Sequence, residues 1–232
     1  MSGSGTGRLD AVFFDMDGLL VDSEPLWFEV ETQIMARMGG AWSHADQQQL
    51  VGGPPSRSLA YMLARAVRPA PEETVARWMA EGINGLVRRH GVPMMPGARE
   101  LLAELSAAGV RRALVTSAHR DLMDAVLEKT GAAFDVTVCA EDIRHGKPDP
   151  EPYLLAAGLL GVDPGRCAAL EDSLTGIASA EAAGCAVIAV PGVAPVPARP
   201  GRVIVGSLRE VDLDRLRRAV AGHAHPAVTN ES

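Results

Sequence analysis

The sequence lacks several features that would assign it to particular classes of protein. Its 232 residues include three cysteines, Cys139, Cys167 and Cys185, which are widely spaced, lie in apolar stretches and form no CxxC pair. This usage predicts reduced core thiols in a cytoplasmic protein, with no cysteine-based metal or redox motif. No apolar run is long enough to span a membrane, and residues 1–7 lack the apolar segment of a signal peptide.

Positive charge is also scarce. The chain has 22 Lys and Arg against 29 Asp and Glu, a formal net charge of -7 at pH 7, and its only lysines are Lys129 and Lys147. Nucleic acids and acidic membranes bind basic faces, so neither is expected as a partner. The composition, 47% hydrophobic and 22% charged, is that of a soluble globular protein of one or two domains.

The most informative stretch runs from Val12 to Glu24. An apolar segment ends at Asp15 and Asp17, and Gly18 follows at once. If the backbone stays extended here, both carboxylates point to the same side. Burying acidic groups is costly unless they are paired or bind a cation, and Mg2+ prefers such oxygen ligands. A strand followed by a solvated Asp-Gly turn explains this stretch equally well, so the other motifs must decide.

The pattern of predicted elements divides the chain. Residues 24–91 contain predicted helices and no convincing strand, whereas predicted strands and helices alternate from residue 92 onward. Such alternation predicts an α/β fold with a Rossmann-like parallel sheet and helices on both faces. We expect a catalytic core of residues 8–23 and 92–222, an inserted all-helical cap of residues 24–91, and disordered tails at residues 1–7 and 223–232.

Chemically active residues follow four of the predicted strands in turn. They are Asp15 and Asp17, then Thr116-Ser117, then Gly146-Lys147-Pro148, and finally Glu171-Asp172-Ser173. Ligands of open parallel sheets bind beyond the carboxyl ends of the strands, so one crevice should hold all four groups. Taken singly, Thr116-Ser117 and Asp172-Ser173 are more typical of helix caps, and an isolated turn lysine is usually solvated. Together the four groups indicate phosphoryl chemistry.

These motifs resemble those of the haloacid dehalogenase-like superfamily of phosphotransferases. The chain is most similar to the subfamily of beta-phosphoglucomutase and small sugar-phosphate phosphatases. The matching segments are Phe14 to Gly18, Val115 to Ser117, Gly146 to Pro148 and Leu170 to Ser173. They occur in the family's order over about residues 10 to 190, and the helical insertion resembles the subfamily's cap domain.

The resemblance implies roles for the acidic residues. Asp15 would be the nucleophile that forms an aspartyl-phosphate, and Asp17 would protonate the leaving oxygen and later accept a proton from water. Mg2+ would be held by Asp15, the backbone carbonyl of Asp17 and Asp172. Glu171 would be a further ligand or would lie just outside the ligand set.

The resemblance also implies a phosphate-binding set. Lys147 would add positive charge, and Thr116, with Ser117 beside it in the motif, would donate a hydrogen bond to the phosphoryl oxygens. Arg57, on the loop after Gly52-Gly53, is a candidate for contacting a hydroxyl or a second anionic group of the substrate. A solvated arginine explains that position equally well.

Two departures from the mutases favour a phosphatase. The mutases carry a histidine on the first cap helix, where this chain has Trp27, and residues 24–91 contain no lysine. Asp17 argues against a dehalogenase, since a halide leaves without a proton. We therefore expect a Mg2+-dependent phosphomonoester phosphatase acting on a small phosphorylated metabolite. A beta-phosphoglucomutase-like mutase is the alternative, and a non-catalytic phosphate-ligand binding protein is favoured less.

The same reasoning gives expectations about assembly and motion. We expect a cytoplasmic monomer or weak homodimer. The cap should open to admit substrate and close to exclude water, with hinges at Val21 to Glu24 and Val92 to Pro96.

Overall fold

The computed structural model describes residues 8–50, 55–192, 195–199 and 201–224. Within these ranges the strands are β1 (Ala11–Phe14), β2 (Arg111–Val115), β3 (Val136–Val138), β4 (Cys167–Glu171), β5 (Ala186–Ala189) and β6 (Arg202–Ile204). The α-helices are α1 (Glu24–Arg37), α2 (His44–Gln48), α3 (Pro55–Arg65), α4 (Glu72–His90), α5 (Ala98–Ala107), α6 (Arg120–Thr130), α7 (Glu151–Leu160), α8 (Leu174–Ala182) and α9 (Leu213–Ala224). Short 3-10 helices cover Ala140–Asp142, Pro164–Arg166 and Leu208–Glu210.

The six strands form one parallel sheet. Their order is β3-β2-β1-β4-β5-β6, and the register sets Phe14 of β1 between Leu114 of β2 and Leu170 of β4. Because parallel strands end at the same edge, the residues that follow β1, β2 and β4 are brought side by side. The predicted α/β fold with a Rossmann-like parallel sheet is confirmed.

Both faces of the sheet are covered, which is why β1 and β5 are continuous, fully buried apolar runs. Val12 and Phe14 belong to one apolar cluster, with residues of α5, α6 and α9, while Ala11 and Phe13 belong to a second cluster, with residues of α7 and α8. The buried cysteines Cys139, Cys167 and Cys185 are free thiols, as predicted. In the described ranges, no helix is both long and apolar enough to cross a membrane.

The helices of residues 24–91 lie between β1 and α5, as the sequence predicts. The sequence pattern did not predict α2, whose five residues begin with a capping box formed by Ser43 and Asp46. Helix α4 packs against α6, where Arg88 lies 3.7 Å from Glu128, and one apolar cluster joins Phe14 of the sheet to Met62 of α3. The division into core and cap remains a prediction.

The two chain segments that connect the helical insertion to the sheet run side by side. The Asp22 N–H donates to the Pro93 carbonyl oxygen and the Met95 N–H donates to the Leu20 carbonyl oxygen, both at 2.9 Å. Val21 and Met94 form an antiparallel bridge between them. The two predicted hinges are therefore hydrogen-bonded neighbours.

Two predicted boundaries were wrong. Helix α3 already begins at Pro55, so Arg57 lies in its first turn rather than on a loop. Helix α9 extends to Ala224, so residues 223 and 224 are helical rather than part of a disordered tail. The remaining tail residues, 1–7 and 225–232, and residues 51–54 of the predicted loop lie outside the described residues.

Candidate active site

Lys147 lies at the centre of the site. Its Nζ donates to Asp15 Oδ1 at 2.5 Å, to Glu171 Oε1 at 2.6 Å and to the Val115 carbonyl oxygen at 2.9 Å. The lysine side chain is 5% exposed, and both carboxylates are buried. These groups come from the ends of β1, β2 and β4, which the sheet order makes adjacent. The structure thus brings together three predicted site residues that are far apart in the sequence.

Three carboxylates form a group that could hold a cation. Asp15, Glu171 and Asp172 each offer an oxygen, and these oxygens lie within 4.8 Å of one another. Gly18 has φ +80°, and a Cβ at this position would lie 2.3 Å from Asp172 Oδ2. Glycine therefore both permits this backbone conformation and leaves room for Asp172.

The backbone of the first motif supplies another oxygen. Among the described residues, no backbone N–H donates to the Asp17 carbonyl oxygen. Carboxylate and carbonyl oxygens are the ligands that Mg2+ prefers. The residues present therefore fit a hard divalent cation.

The electrostatics of the cluster also fit a cation. Burial raises the pKa of Asp15 to about 7, with Lys147 opposing the shift and Glu171 and Asp17 adding to it. Burial, together with Asp15 and Glu171, raises the pKa of Asp172 to about 9. Burial disfavours the Lys147 ammonium, but the carboxylates of Asp15 and Glu171 outweigh this effect and raise its pKa. One ammonium among four acids leaves negative charge that protons or a cation must balance.

Asp17 has a separate environment. Burial raises its pKa, and this shift is opposed by Ser23 and by the nearby Trp27 indole. Ser23 Oγ donates to Asp17 Oδ1 at 2.5 Å. Ser23 is the residue before α1, and its hydroxyl makes no capping hydrogen bond there. A hydrogen-bonded acid with a raised pKa is suited to donating a proton.

Both carboxylate oxygens of Glu171 accept hydrogen bonds, and helix α8 passes close to them. Besides Lys147, Tyr153 donates its hydroxyl to Glu171 Oε1 at 2.5 Å, and Ser173 Oγ donates to Oε2 at 3.3 Å. A Cβ on Gly176 would lie 2.0 Å from the Glu171 carboxylate. Sequence reasoning missed Tyr153 and Gly176. A glycine inside the predicted helix α8 was an available signal, since it marks close approach.

The other predicted binding residues differ in their surroundings. Thr116 is buried directly after β2, and its Oγ1 accepts the Ala118 N–H at 3.0 Å. Ser117 follows it and is exposed. Arg57 is also exposed and, within the described part of the chain, forms no ion pair with the acidic cluster. The structure brings Thr116 to the site edge but leaves Arg57 without a contact to the cluster.

Comparisons with known proteins match this architecture. A family model described as haloacid dehalogenase-like hydrolase matches residues 9–184. The chain is 33% identical to hexitol phosphatase B of Escherichia coli (strain K12) over 211 residues, 89% of this chain and 93% of that protein. It is 32% identical to a phosphorylated carbohydrates phosphatase of Thermotoga maritima over 185 residues, 76% of this chain and 82% of that protein.

A solved structure is similar over almost the whole chain. It is a variant of CbbY from Rhodobacter sphaeroides in complex with xylulose-(1,5)bisphosphate, with a TM-score of 0.80 and 28% identity. The match covers 90% of this chain and 99% of that one.

Proposed function

The chain belongs to the haloacid dehalogenase-like hydrolases, and from this membership we propose that it is a Mg2+-dependent phosphatase of a small phosphorylated metabolite, such as a sugar phosphate. The observation that carries the proposal is the contact of Lys147 with Asp15 beside Asp172 in one cluster. Relatives named for hexitol phosphates and phosphorylated carbohydrates support the substrate class.

Asp15 and Asp17 divide the chemistry. An oxygen of Asp15 attacks phosphorus, the bond from phosphorus to the leaving oxygen breaks, and Asp17 gives its proton to that oxygen. Water then attacks the aspartyl-phosphate, Asp17 takes a proton from the water, and inorganic phosphate leaves Asp15 free. Two displacements replace one difficult hydrolysis. The raised pKa of Asp17 supports its first role, since the acid must begin protonated.

Charge neutralisation is the other requirement. Asp15, Asp172 and the Asp17 carbonyl would hold Mg2+, with Glu171 beside them. When bound, the cation offsets the repulsion between a carboxylate and a phosphate dianion. Lys147 contributes a fixed positive charge to the same task.

The phosphoryl and substrate contacts would come from other residues. The Thr116 hydroxyl is proposed to donate to the phosphoryl oxygens, with Ser117 at the rim. Residues 24–91 would act as a cap over the site, and Arg57 at the start of α3 is a candidate for contacting the substrate when the cap closes.

Hydrolysis of a generic aryl phosphate tests the proposal. Activity should require Mg2+, and Asp15→Asn should abolish it without unfolding the protein. Asp10→Asn is a matched control, because Asp10 is also buried beside β1 but at the opposite end, where it pairs with Arg8 at 2.7 Å and Arg166 at 3.0 Å. The control should keep its activity. Turnover by pure Asp15→Asn protein would contradict the nucleophile assignment.

A mutase would give different products. Hexose 1-phosphates should yield inorganic phosphate, because Trp27 offers no acid or base at the position where the mutases have a histidine. Release of hexose 6-phosphate as the main product would favour the mutase instead. A panel of hexitol and pentulose phosphates, assayed by phosphate release, would then identify the substrate.

A further inference from the structure

Tyr153 is a buried polar residue that the mechanism above leaves without a role. It lies on α7, is 0% exposed, and packs its ring against Phe13 of β1 with the ring centroids 6.1 Å apart. Its hydroxyl donates to Glu171 Oε1 at 2.5 Å. A buried hydroxyl is costly unless it is hydrogen-bonded, and this acceptor is a carboxylate next to the chemistry.

The same carboxylate oxygen accepts from Lys147. Glu171 Oε1 therefore receives two donors, and the Lys147 ammonium lies 5.3 Å from the centre of the Tyr153 ring. The ammonium has three protons, and among the described residues it has three acceptors: Asp15, Glu171 and the Val115 carbonyl. The direction in which Nζ faces Asp15 thus depends on where Glu171 is held.

Glu171 has no freedom to move toward α8. A Cβ at Gly176 would lie 2.0 Å from its carboxylate, so the backbone of the helix bounds it on that side. On the other side the Tyr153 hydroxyl and the Lys147 ammonium share one oxygen. Removing the hydroxyl leaves Lys147 as the only donor to Oε1 among the described residues.

We propose that Tyr153 is a positioning residue: its hydroxyl fixes the Glu171 carboxylate, which in turn holds the Lys147 ammonium against Asp15. This rests on the proposed function, in which Lys147 acts on the phosphoryl group beside Asp15. Tyr153 itself does not touch substrate. Its hydroxyl shares one Glu171 oxygen, Oε1, with Lys147.

The chain provides a matched pair of variants. Its only two tyrosines are Tyr61 and Tyr153, and Tyr61 likewise donates its hydroxyl to a carboxylate, Asp46 Oδ1, at 2.8 Å, but within the helical insertion. Tyr153→Phe and Tyr61→Phe each remove one hydroxyl and keep the ring. Their thermal midpoints, their kcat and KM for an aryl phosphate, and their Mg2+ affinity by calorimetry would be compared.

We expect kcat of Tyr153→Phe to fall about tenfold, the size allowed by losing one hydrogen bond to a charged group. Its KM and the dissociation constant of Mg2+ should stay within about threefold of wild type, with Mg2+ bound no more weakly. Tyr61→Phe should keep kcat within about twofold. Equal kcat in the two variants would overturn the proposal, and so would a parallel loss of kcat and Mg2+ affinity, which indicates general loosening.

A second measurement does not depend on hydrolysis or on Tyr153→Phe folding. Protein labelled with 3-fluorotyrosine should give two 19F resonances, assigned with Tyr61→Phe. Lys147→Met should shift the Tyr153 resonance and leave that of Tyr61 in place. An unmoved Tyr153 resonance would refute the coupling. Lack of hydrolysis by the wild type would instead contradict the proposed function. The 19F resonance of Tyr153 would still test the coupling, because it does not require hydrolysis.

Discussion

Gly176 offers a sharp test of how tightly the site is built. It is the third residue of α8, where alanine would ordinarily be preferred over glycine by about 0.5–1 kcal/mol. Here, however, the added methyl would lie 2.0 Å from the Glu171 carboxylate. Lys147, Tyr153 and Ser173 hold that carboxylate, so it cannot yield without losing hydrogen bonds.

The expected change follows from these opposing effects. Overpacking should destabilise Gly176→Ala by about 1–3 kcal/mol, and one lost hydrogen bond to the Glu171 carboxylate adds about 1.5–3 kcal/mol. After subtracting the gain in helix propensity, the net loss is about 3 kcal/mol. This corresponds to a midpoint about 6–12 °C lower for a chain of this length. Because Lys147 loses its fixed partner, kcat should fall at least about tenfold.

Gly158 supplies the control. It lies inside α7, is exposed, and a Cβ there would meet nothing within 4 Å. Gly158→Ala should raise the free energy of unfolding by about 0.5–1 kcal/mol and leave kcat unchanged. Thermal unfolding and aryl phosphate hydrolysis of both variants make the comparison. If Gly176→Ala were as stable and as active as Gly158→Ala, the reasoning about the Glu171 carboxylate would be wrong.

Three further predictions concern the acids Asp17, Asp172 and Glu31. Ser23→Ala removes the hydrogen bond that orients Asp17, so kcat should fall about tenfold with KM unchanged; an unaltered kcat would show that the bond does not matter. Mg2+ at about 100 times its dissociation constant should stabilise the wild type by about 2.7 kcal/mol, and Asp172→Asn should lose most of this shift; an equal shift in both would remove Asp172 from the ligand set. Burial raises the pKa of Glu31 to about 7, so the folded protein holds a proton that the unfolded chain releases, and stability falls as pH rises from about 4.5 to 7. The thermal unfolding midpoint of Glu31→Gln should therefore rise relative to that of the wild type as pH increases from 5 to 8. A difference in midpoint that does not change with pH would contradict this.

Some features of the fold could be read from local patterns. The C-terminal ends of α6 and α7 follow from the glycines at 131 and 161, whose left-handed conformation ends each helix. The five-residue helix α2 was not predicted, because so short a helix shows no periodic pattern of apolar residues. The start of α3 was misplaced because Pro55 reads as a loop residue, although proline is well suited to a first helical turn.

The sequence alone determined which polar groups come together, because strand ends of a parallel sheet converge and each polar motif follows its strand. That logic assigned Asp15, Asp172 and Lys147 to one crevice without coordinates. Only the tertiary structure decided how they are held. Tyr153 reaches Glu171 because α7 packs on the face of the sheet that carries Phe13, and Ser23 bonds to Asp17 instead of capping α1. Such contacts depend on how segments far apart in the sequence pack together. They produce no periodic pattern in the sequence from which they could be predicted.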